Sequence, residues 1–196
     1  MTNTSVPALT LNGGEERRSN IALQMGGALW IVYYVLQLVM GFLYGAAQVK
    51  GKLGLLDGVC FLAAIFCLDL GLGLLARSLG GRAWAAKVGL LFAFIATAGV
   101  VGSVVMIMRG YMPQIWGGIG VIGTCLSTLF VALATRRLQV WSARRSLLLL
   151  LIGALTFPLI LLFIIPGQFV PTFLTDELPF AISGAAFIVF ARLGEK

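Results

Sequence analysis

Residues 147–152 read LLLLLI, the most apolar part of a charge-free run from Ser146 to Pro166. Only α-helices and closed β-barrels satisfy every backbone N–H and C=O group inside a lipid bilayer. Barrel strands alternate apolar and polar residues with a period of two, whereas residues 147–152 are apolar without interruption. This stretch therefore predicts a membrane-crossing helix.

The overall composition indicates that most of the chain is of this kind. Of the 196 residues, 60% are hydrophobic and 11% are charged, and the mean hydropathy is +1.02. Ordinary soluble domains have about 25% charged residues, and one membrane-crossing helix needs about 20 apolar residues. These values exclude a soluble globular enzyme, a disordered chain and a fibrous protein, and they indicate a small polytopic membrane protein.

Successive apolar runs predict an all-α, polytopic membrane helix bundle with six transmembrane helices. The polar residues 1–20 are predicted to form a flexible cytoplasmic tail, and residues 21–196 a single transmembrane domain. The predicted spans are about 21–49, 53–79, 83–108, 114–135, 146–166 and 175–193. The sixth run is the shortest, and the sequence leaves open whether it crosses the whole bilayer.

The distribution of basic residues predicts the orientation. With six spans and a cytoplasmic N terminus, 11 of the 14 Lys and Arg residues fall in cytoplasmic segments. The outer segments hold three, which are Lys50, Lys52 and Arg109. Because cytoplasmic loops carry an excess of Lys and Arg, we expect both termini in the cytoplasm. A plasma membrane, in particular a bacterial inner membrane, is the simplest location for such a chain.

The residue inventory also excludes several chemistries. The sequence contains no histidine, the usual general base near neutral pH and a frequent ligand of haem and catalytic zinc. Its cysteines, Cys60, Cys67 and Cys125, lie in apolar runs and form no C-x-x-C pair. We therefore predict a protein that is not an enzyme, with no catalytic, cofactor-binding or metal-binding residues and no cofactor.

Ionisable and amide side chains inside predicted spans are the candidate functional residues, because such groups are costly in a bilayer. Asp69 lies 12 residues after Asp57, or about 18 Å deeper along a helix. Lys87 lies at a similar depth on the next, antiparallel span, so we expect a buried Asp69–Lys87 ion pair. Gln37 is central in the first span and is expected to form an interhelical hydrogen bond. Two readings of the pair stay open, a proton or cation relay and a structural clamp.

A cluster of four arginines follows the fourth span, comprising Arg136, Arg137, Arg144 and Arg145. We predict that these side chains contact anionic lipid headgroups or dock a partner. The alternative, which the sequence leaves open, is that they only set the topology. The net charge of +7 does not predict a nucleic-acid partner, because the basic residues lie beside membrane ends.

Two short segments carry a family resemblance. The segment Arg109-Gly-Tyr-Met-Pro113, followed by Trp116-Gly-Gly-Ile-Gly120, resembles a pattern in small six-span bacterial membrane proteins of unknown function. The resemblance implies a six-span membrane protein, and it implies no activity and no functional residues.

The expected function is that of a non-enzymatic integral membrane protein, a scaffold or accessory subunit of a membrane assembly. Its expected partners are the lipid bilayer and another membrane protein or further copies of the chain. The sparse polar interior and the many small residues favour this interpretation. The alternative is a small transporter or channel protomer with a polar path near Asp69, Lys87 and Gln37.

Overall fold

A computed structural model of the chain describes residues 13–44, 52–80, 83–110, 114–164 and 177–194. The described residues form six α-helices: α1 (Gly13–Tyr44), α2 (Lys52–Ser78), α3 (Trp84–Met108), α4 (Gln114–Arg137), α5 (Ala143–Ile164) and α6 (Leu178–Arg192). The prediction of an all-α fold is confirmed. Most of the predicted tail, residues 1–12, lies outside the described residues. So do residues 45–49, 165–166 and 175–176, at the predicted ends of the first, fifth and sixth spans.

Four of the helices are long and apolar enough to cross a bilayer. These stretches are Gly13–Leu43, Leu55–Ser78, Trp84–Met108 and Ile115–Arg137. α5 has 22 residues and α6 has 15, which correspond to lengths of about 33 Å and 22 Å. The hydrocarbon core of a bilayer is about 30 Å thick, so α6 is short for a complete crossing.

The outer surface of the bundle is apolar. Large side chains point outward along the helices, among them Phe42, Phe94 and Met108 with exposures of 72%, 66% and 83%. Monomeric soluble proteins rarely expose extended apolar patches of this kind. The surface therefore fits a lipid environment, and the chain is a membrane-embedded helical protein.

The first helix begins earlier than the sequence predicts. α1 starts at Gly13, eight residues before the expected start at residue 21, so residues 13–20 are helical and not part of a tail. The acidic residues Glu15 and Glu16 in the first turn stabilise this start, because they lie at the positive end of the helix dipole. Ser19 and Asn20 are buried, and the Ser19 hydroxyl donates a hydrogen bond of 2.8 Å to the carbonyl of Gly71 on α2. Partners on neighbouring helices thus allow a polar segment to continue the helix.

The helices form a closed ring. Each helix packs against its neighbour in the chain, and α6 packs against α1 as well as α5. α2 also contacts α4 across the interior of the ring. α2 is therefore packed against α1, α3 and α4, and residues near its middle are enclosed on several sides.

One end of the bundle gathers the start of α1, the start of α5 and the end of α6. Arg145 forms an ion pair with Glu16 of α1, and its guanidinium lies against Gly194, just after α6. Several more arginines lie at this end, in the first or last turns of helices, and we therefore call it the basic end of the bundle. They are Arg77, Arg136, Arg137, Arg144 and Arg192.

Small residues allow the closest helix contacts. A Cβ atom added at Gly123 on α4 would lie 2.7 Å from the Cβ of Ala96 on α3, and one added at Gly99 would lie 2.6 Å from the backbone nitrogen of Gly120. Real Cβ atoms do not approach other atoms so closely. The α3–α4 contact therefore depends on glycine at these positions.

Candidate functional site

Asp69 is the most enclosed acidic side chain of the described residues. It lies in the middle of α2, beside the fully buried Leu68 and Leu72, and only 2% of its surface is exposed. Its Oδ1 atom accepts a hydrogen bond of 2.8 Å from the Thr124 hydroxyl on α4. Its Oδ2 atom is buried and has no hydrogen-bond partner among the described residues.

The hydrogen bond from Thr124 is shared. The same hydroxyl oxygen lies 3.0 Å from the carbonyl oxygen of Gly120, one turn earlier on α4. A threonine hydroxyl carries one proton and donates to one acceptor at a time. An ionised Asp69 therefore receives less than one full hydrogen bond. Leaving a buried polar group without a partner costs about 1–3 kcal/mol, and more for a charged group.

A cleft of about 300 Å³ lies between α2 and α3, with Asp69 in its lining. The α2 side chains Phe66 and Leu70 line it on one side and Phe94 of α3 lines it on the other, and all three are about half exposed or more. The exposed faces of these residues belong to the apolar outer surface. The cleft therefore opens toward the lipid-facing side of the bundle.

Two other polar residues line the cleft. Arg77 lies eight residues after Asp69 on α2, or about 12 Å along the helix axis, and is exposed at the basic end. Thr97 of α3 also lines the cleft, but its hydroxyl donates to the carbonyl of Ala93 on its own helix, at 2.9 Å. Within the described lining, Asp69 is thus the acidic group and Arg77 the basic group.

The predicted Asp69–Lys87 ion pair is not formed. Lys87 is exposed in the first turn of α3, and Asp69 is bonded to Thr124 instead. Within the described part of the chain, the ion pair is between Glu16 and Arg145. The physical reason is that α2 also packs against α4, which brings a hydroxyl to the buried carboxyl, while the long Lys87 side chain extends away from the interior.

Gln37 forms the predicted interhelical hydrogen bond, but with a different partner. Its Nε2 atom donates to Oδ2 of Asp57 on α2 at 2.9 Å. Asp57 is 12 residues from Asp69, so this bond lies far from the cleft along α2. The structure therefore does not bring the candidate residues Asp69, Lys87 and Gln37 together at one polar site.

The four arginines of the predicted lipid-contacting cluster differ in their environment. Arg136, Arg137 and Arg144 are exposed, as a contact with lipid headgroups requires. Arg145 is only 6% exposed, so the prediction of a headgroup contact is wrong for this residue. Its guanidinium pairs with Glu16, donates to Oδ1 of Asn20 at 3.0 Å and lies 4.2 Å from the ring centre of Trp141.

Thr124 belongs to the Asp69 site, although no pattern in the sequence predicts it. The residue lies in an apolar run among glycines and small residues, where a threonine most often bonds a carbonyl of its own helix. Its approach to Asp69 depends on the α2–α4 contact, which joins helices that are not neighbours in the chain. A local pattern in the sequence therefore carries no signal for this pair.

Comparison with protein-family models, curated proteins and solved structures found no match to this chain. The fold and the site define the class of the protein, a membrane-embedded bundle of apolar helices. Among the described residues that line its lateral cleft, one carries a buried carboxyl group, and that residue is Asp69.

Proposed function

We propose that this chain is a polytopic plasma-membrane protein, of a bacterial inner membrane in the simplest case, with six crossings and both termini in the cytoplasm. The contact of Arg145 with Glu16 and Gly194 supports this topology, because it joins the start of α1 to the end of α6. The arginines of the basic end support a cytoplasmic location for that end. In this arrangement α6 is a short crossing that is covered by α1 and α5.

Cysteine labelling tests the topology. The three native cysteines are replaced by alanine, and a single cysteine is introduced at Arg109, between α3 and α4, or at Ala143, at the start of α5; both positions are exposed. A membrane-impermeant maleimide should label the Arg109→Cys variant in intact cells and the Ala143→Cys variant only after permeabilisation. The reverse pattern, or labelling of both variants in intact cells, contradicts the proposed orientation.

We further propose that the protein acts without catalysis, as a scaffold or accessory subunit of a membrane assembly. The observation that carries this proposal is how the interior polar groups are used. The hydroxyls of Ser103, Thr128 and Thr156 bond to carbonyls one turn earlier on their own helices, and Ser127 of α4 bonds to the carbonyl of Gly89 on α3. Ser127 thus joins α4 to α3, and Thr156 also lies 2.9 Å from the Ser183 hydroxyl of α6, while the other hydroxyls are satisfied within their own helices. These groups serve helix structure and packing and do not converge on a reacting centre.

The outer face of α3 supports contact with a second membrane component. α3 is the least buried of the four long apolar helices, and large apolar residues such as Leu91, Val101 and Val104 are exposed along it. The exposed Arg136, Arg137 and Arg144 likewise support contacts with anionic lipids at the cytoplasmic face. The partner is a different membrane protein or another copy of this chain.

Photocrosslinking tests the scaffold proposal. A benzophenone amino acid replaces Val101 on α3, which is 57% exposed. The matched control carries it at Val39 on α1, which is 46% exposed. In native membranes the α3 position should give one protein adduct of defined mass, whose size separates a second copy from a different protein. The control should give mainly lipid adducts. Lipid adducts alone at both positions contradict the proposal.

A small transporter or channel protomer is the second candidate, and the buried carboxyl of Asp69 in a cleft is the observation that favours it. Because Gln37 and Lys87 do not join Asp69, this candidate depends on Asp69 alone. Proteoliposomes loaded with a pH-sensitive dye test it. A transporting protein gives a flux that the Asp69→Asn variant abolishes at an unchanged melting temperature, whereas a scaffold gives no flux above empty liposomes.

A further inference from the structure

The α2–α3 cleft has one feature that helix packing does not account for. Oδ2 of Asp69 is a buried acceptor without a hydrogen-bond partner among the described residues, in a side chain that is 2% exposed and lines the cleft. An ionised carboxylate has only acceptor sites, so it needs a donor, and a positively charged donor stabilises it most. Within the described residues, Lys87 is exposed and Arg77 lies about 12 Å away along α2.

The remainder of the cleft indicates an apolar ligand. Phe66, Leu70 and Leu90 contribute apolar surface, and Phe94 contributes a ring at the lipid-facing opening. Binding sites for small molecules are typically clefts of about 300–1,000 Å³ with mostly apolar walls and few polar groups. With about 300 Å³, this cleft is at the small end of that range and suits a compact molecule.

The charges distinguish between classes of ligand. An anion is disfavoured next to Asp69, and Arg77 offers it a position only toward the basic end. A neutral alcohol donates one hydrogen bond but leaves the carboxylate charge unbalanced. A protonated amine supplies both an N–H donor and the opposite charge, and interactions of this kind are about twice as strong as neutral hydrogen bonds.

We propose that the α2–α3 cleft binds a compact lipid-soluble amine, whose protonated nitrogen donates to Oδ2 of Asp69 and whose apolar body lies against Phe66, Leu70 and Phe94. The ligand enters from the bilayer, where the apolar side of the cleft is exposed. Arg77 disfavours entry of a cation from the basic end. The proposal rests on the membrane location proposed above, and it applies equally to a scaffold and to a transporter.

Two probes of nearly the same shape test this inference. Adamantan-1-amine is a compact apolar cage with one protonated nitrogen, and adamantan-1-ol is its neutral counterpart. Binding is measured by isothermal titration calorimetry to the full chain in lipid nanodiscs, with empty nanodiscs as the baseline for partition into lipid. The amine should bind saturably with a stoichiometry of one, and at least tenfold more tightly than the alcohol.

Three variants locate the binding. Asp69→Asn should weaken amine binding at least tenfold, while Asp57→Asn, a matched change on the same helix outside the cleft, should leave it unchanged. Gly73→Leu fills the cleft but retains Asp69. An added Cβ at Gly73 meets only Leu90 at 3.8 Å, and leucine is favoured over glycine in a helix, so this variant should fold and lose the binding.

The results separate failure of this inference from failure of the membrane proposal. Equal binding of amine and alcohol, no saturable amine binding, or unchanged binding in both Asp69→Asn and Gly73→Leu overturns the cleft as an amine site. If Asp69→Asn fails to fold, the comparison of the two probes on the native chain and the Gly73→Leu variant still decide the outcome. A chain that stays monodisperse in buffer without detergent overturns the membrane proposal instead.

Discussion

Replacement of Arg145 by methionine should destabilise the bundle far more than the same change at its neighbour, Arg144. Arg145 is 6% exposed, whereas Arg144 is exposed to solvent at the start of α5. The buried guanidinium pairs with Glu16, donates to Asn20 at 3.0 Å and lies 4.2 Å from the ring centre of Trp141. These contacts join α1 to α5 and to the connection that precedes α5.

The magnitude follows from the loss of one partner of a buried pair. Removing a single partner costs about 3–5 kcal/mol, because the other charge stays buried without compensation. The Glu16 side chain is 22% exposed and is partly rehydrated in the variant, so we expect the lower end, about 3 kcal/mol. For a chain of this length, that corresponds to a drop in Tm of about 6–12 °C. Arg144→Met should change stability by less than about 0.5 kcal/mol.

Thermal unfolding in detergent, followed by intrinsic tryptophan fluorescence, measures the difference. Arg145→Lys should recover only part of the stability, because a lysine ammonium lacks the planar fork that contacts Glu16 and Asn20 together. A double-mutant cycle of Glu16→Gln and Arg145→Met should give a coupling energy above about 0.5 kcal/mol. Equal Tm shifts for Arg144→Met and Arg145→Met, or additive effects in the cycle, would refute the reasoning.

Further substitutions test the packing between helices, each by the same thermal assay. Gly123→Ala should destabilise by about 1–3 kcal/mol, since the new methyl group would overlap the α3 backbone, whereas Gly118→Ala, in open space, should be neutral or stabilising by up to about 1 kcal/mol. Thr124→Val removes the donor to Asp69 and should cost about 1–3 kcal/mol. The fully buried Trp30 of α1 packs against the rings of Phe180 and Phe187 of α6, so Trp30→Ala leaves a cavity and should cost about 3–5 kcal/mol. An unchanged Tm for Gly123→Ala, Thr124→Val or Trp30→Ala would contradict the packing described for that residue.

The positions of the helices could be predicted closely from the sequence. α3 and α4 begin within one residue of the predicted starts at 83 and 114, because a turn with glycine, proline or arginine separates long apolar runs. The start of α1 could not be predicted in the same way. Residues 13–20 are polar, and they continue the helix because Ser19 and Arg145 provide tertiary contacts that no local pattern contains.

The candidate site was predicted only in part. Asp69 was identified because a carboxyl group in an apolar run is costly, and the structure places it in a cleft. The predicted ion pair between Asp69 and Lys87 is wrong, and the sequence does not predict the hydrogen bond from Thr124. The reason is that depth along a helix does not specify the direction in which a side chain points. Gln37 was expected to bond across helices, and it does so with Asp57.

The amino-acid sequence alone establishes the class of the protein. In lipid, backbone polar groups are satisfied only in helices or closed barrels, and continuous apolar runs such as residues 147–152 exclude barrel strands and show where the helices lie. Packing between the helices sets which face of each helix points inward. Lipid is as apolar as the protein interior, so the apolar pattern of a membrane helix does not distinguish its buried side from its outer side. For this reason the adjacent Arg144 and Arg145 read alike in the sequence, while one is exposed and the other joins three helices.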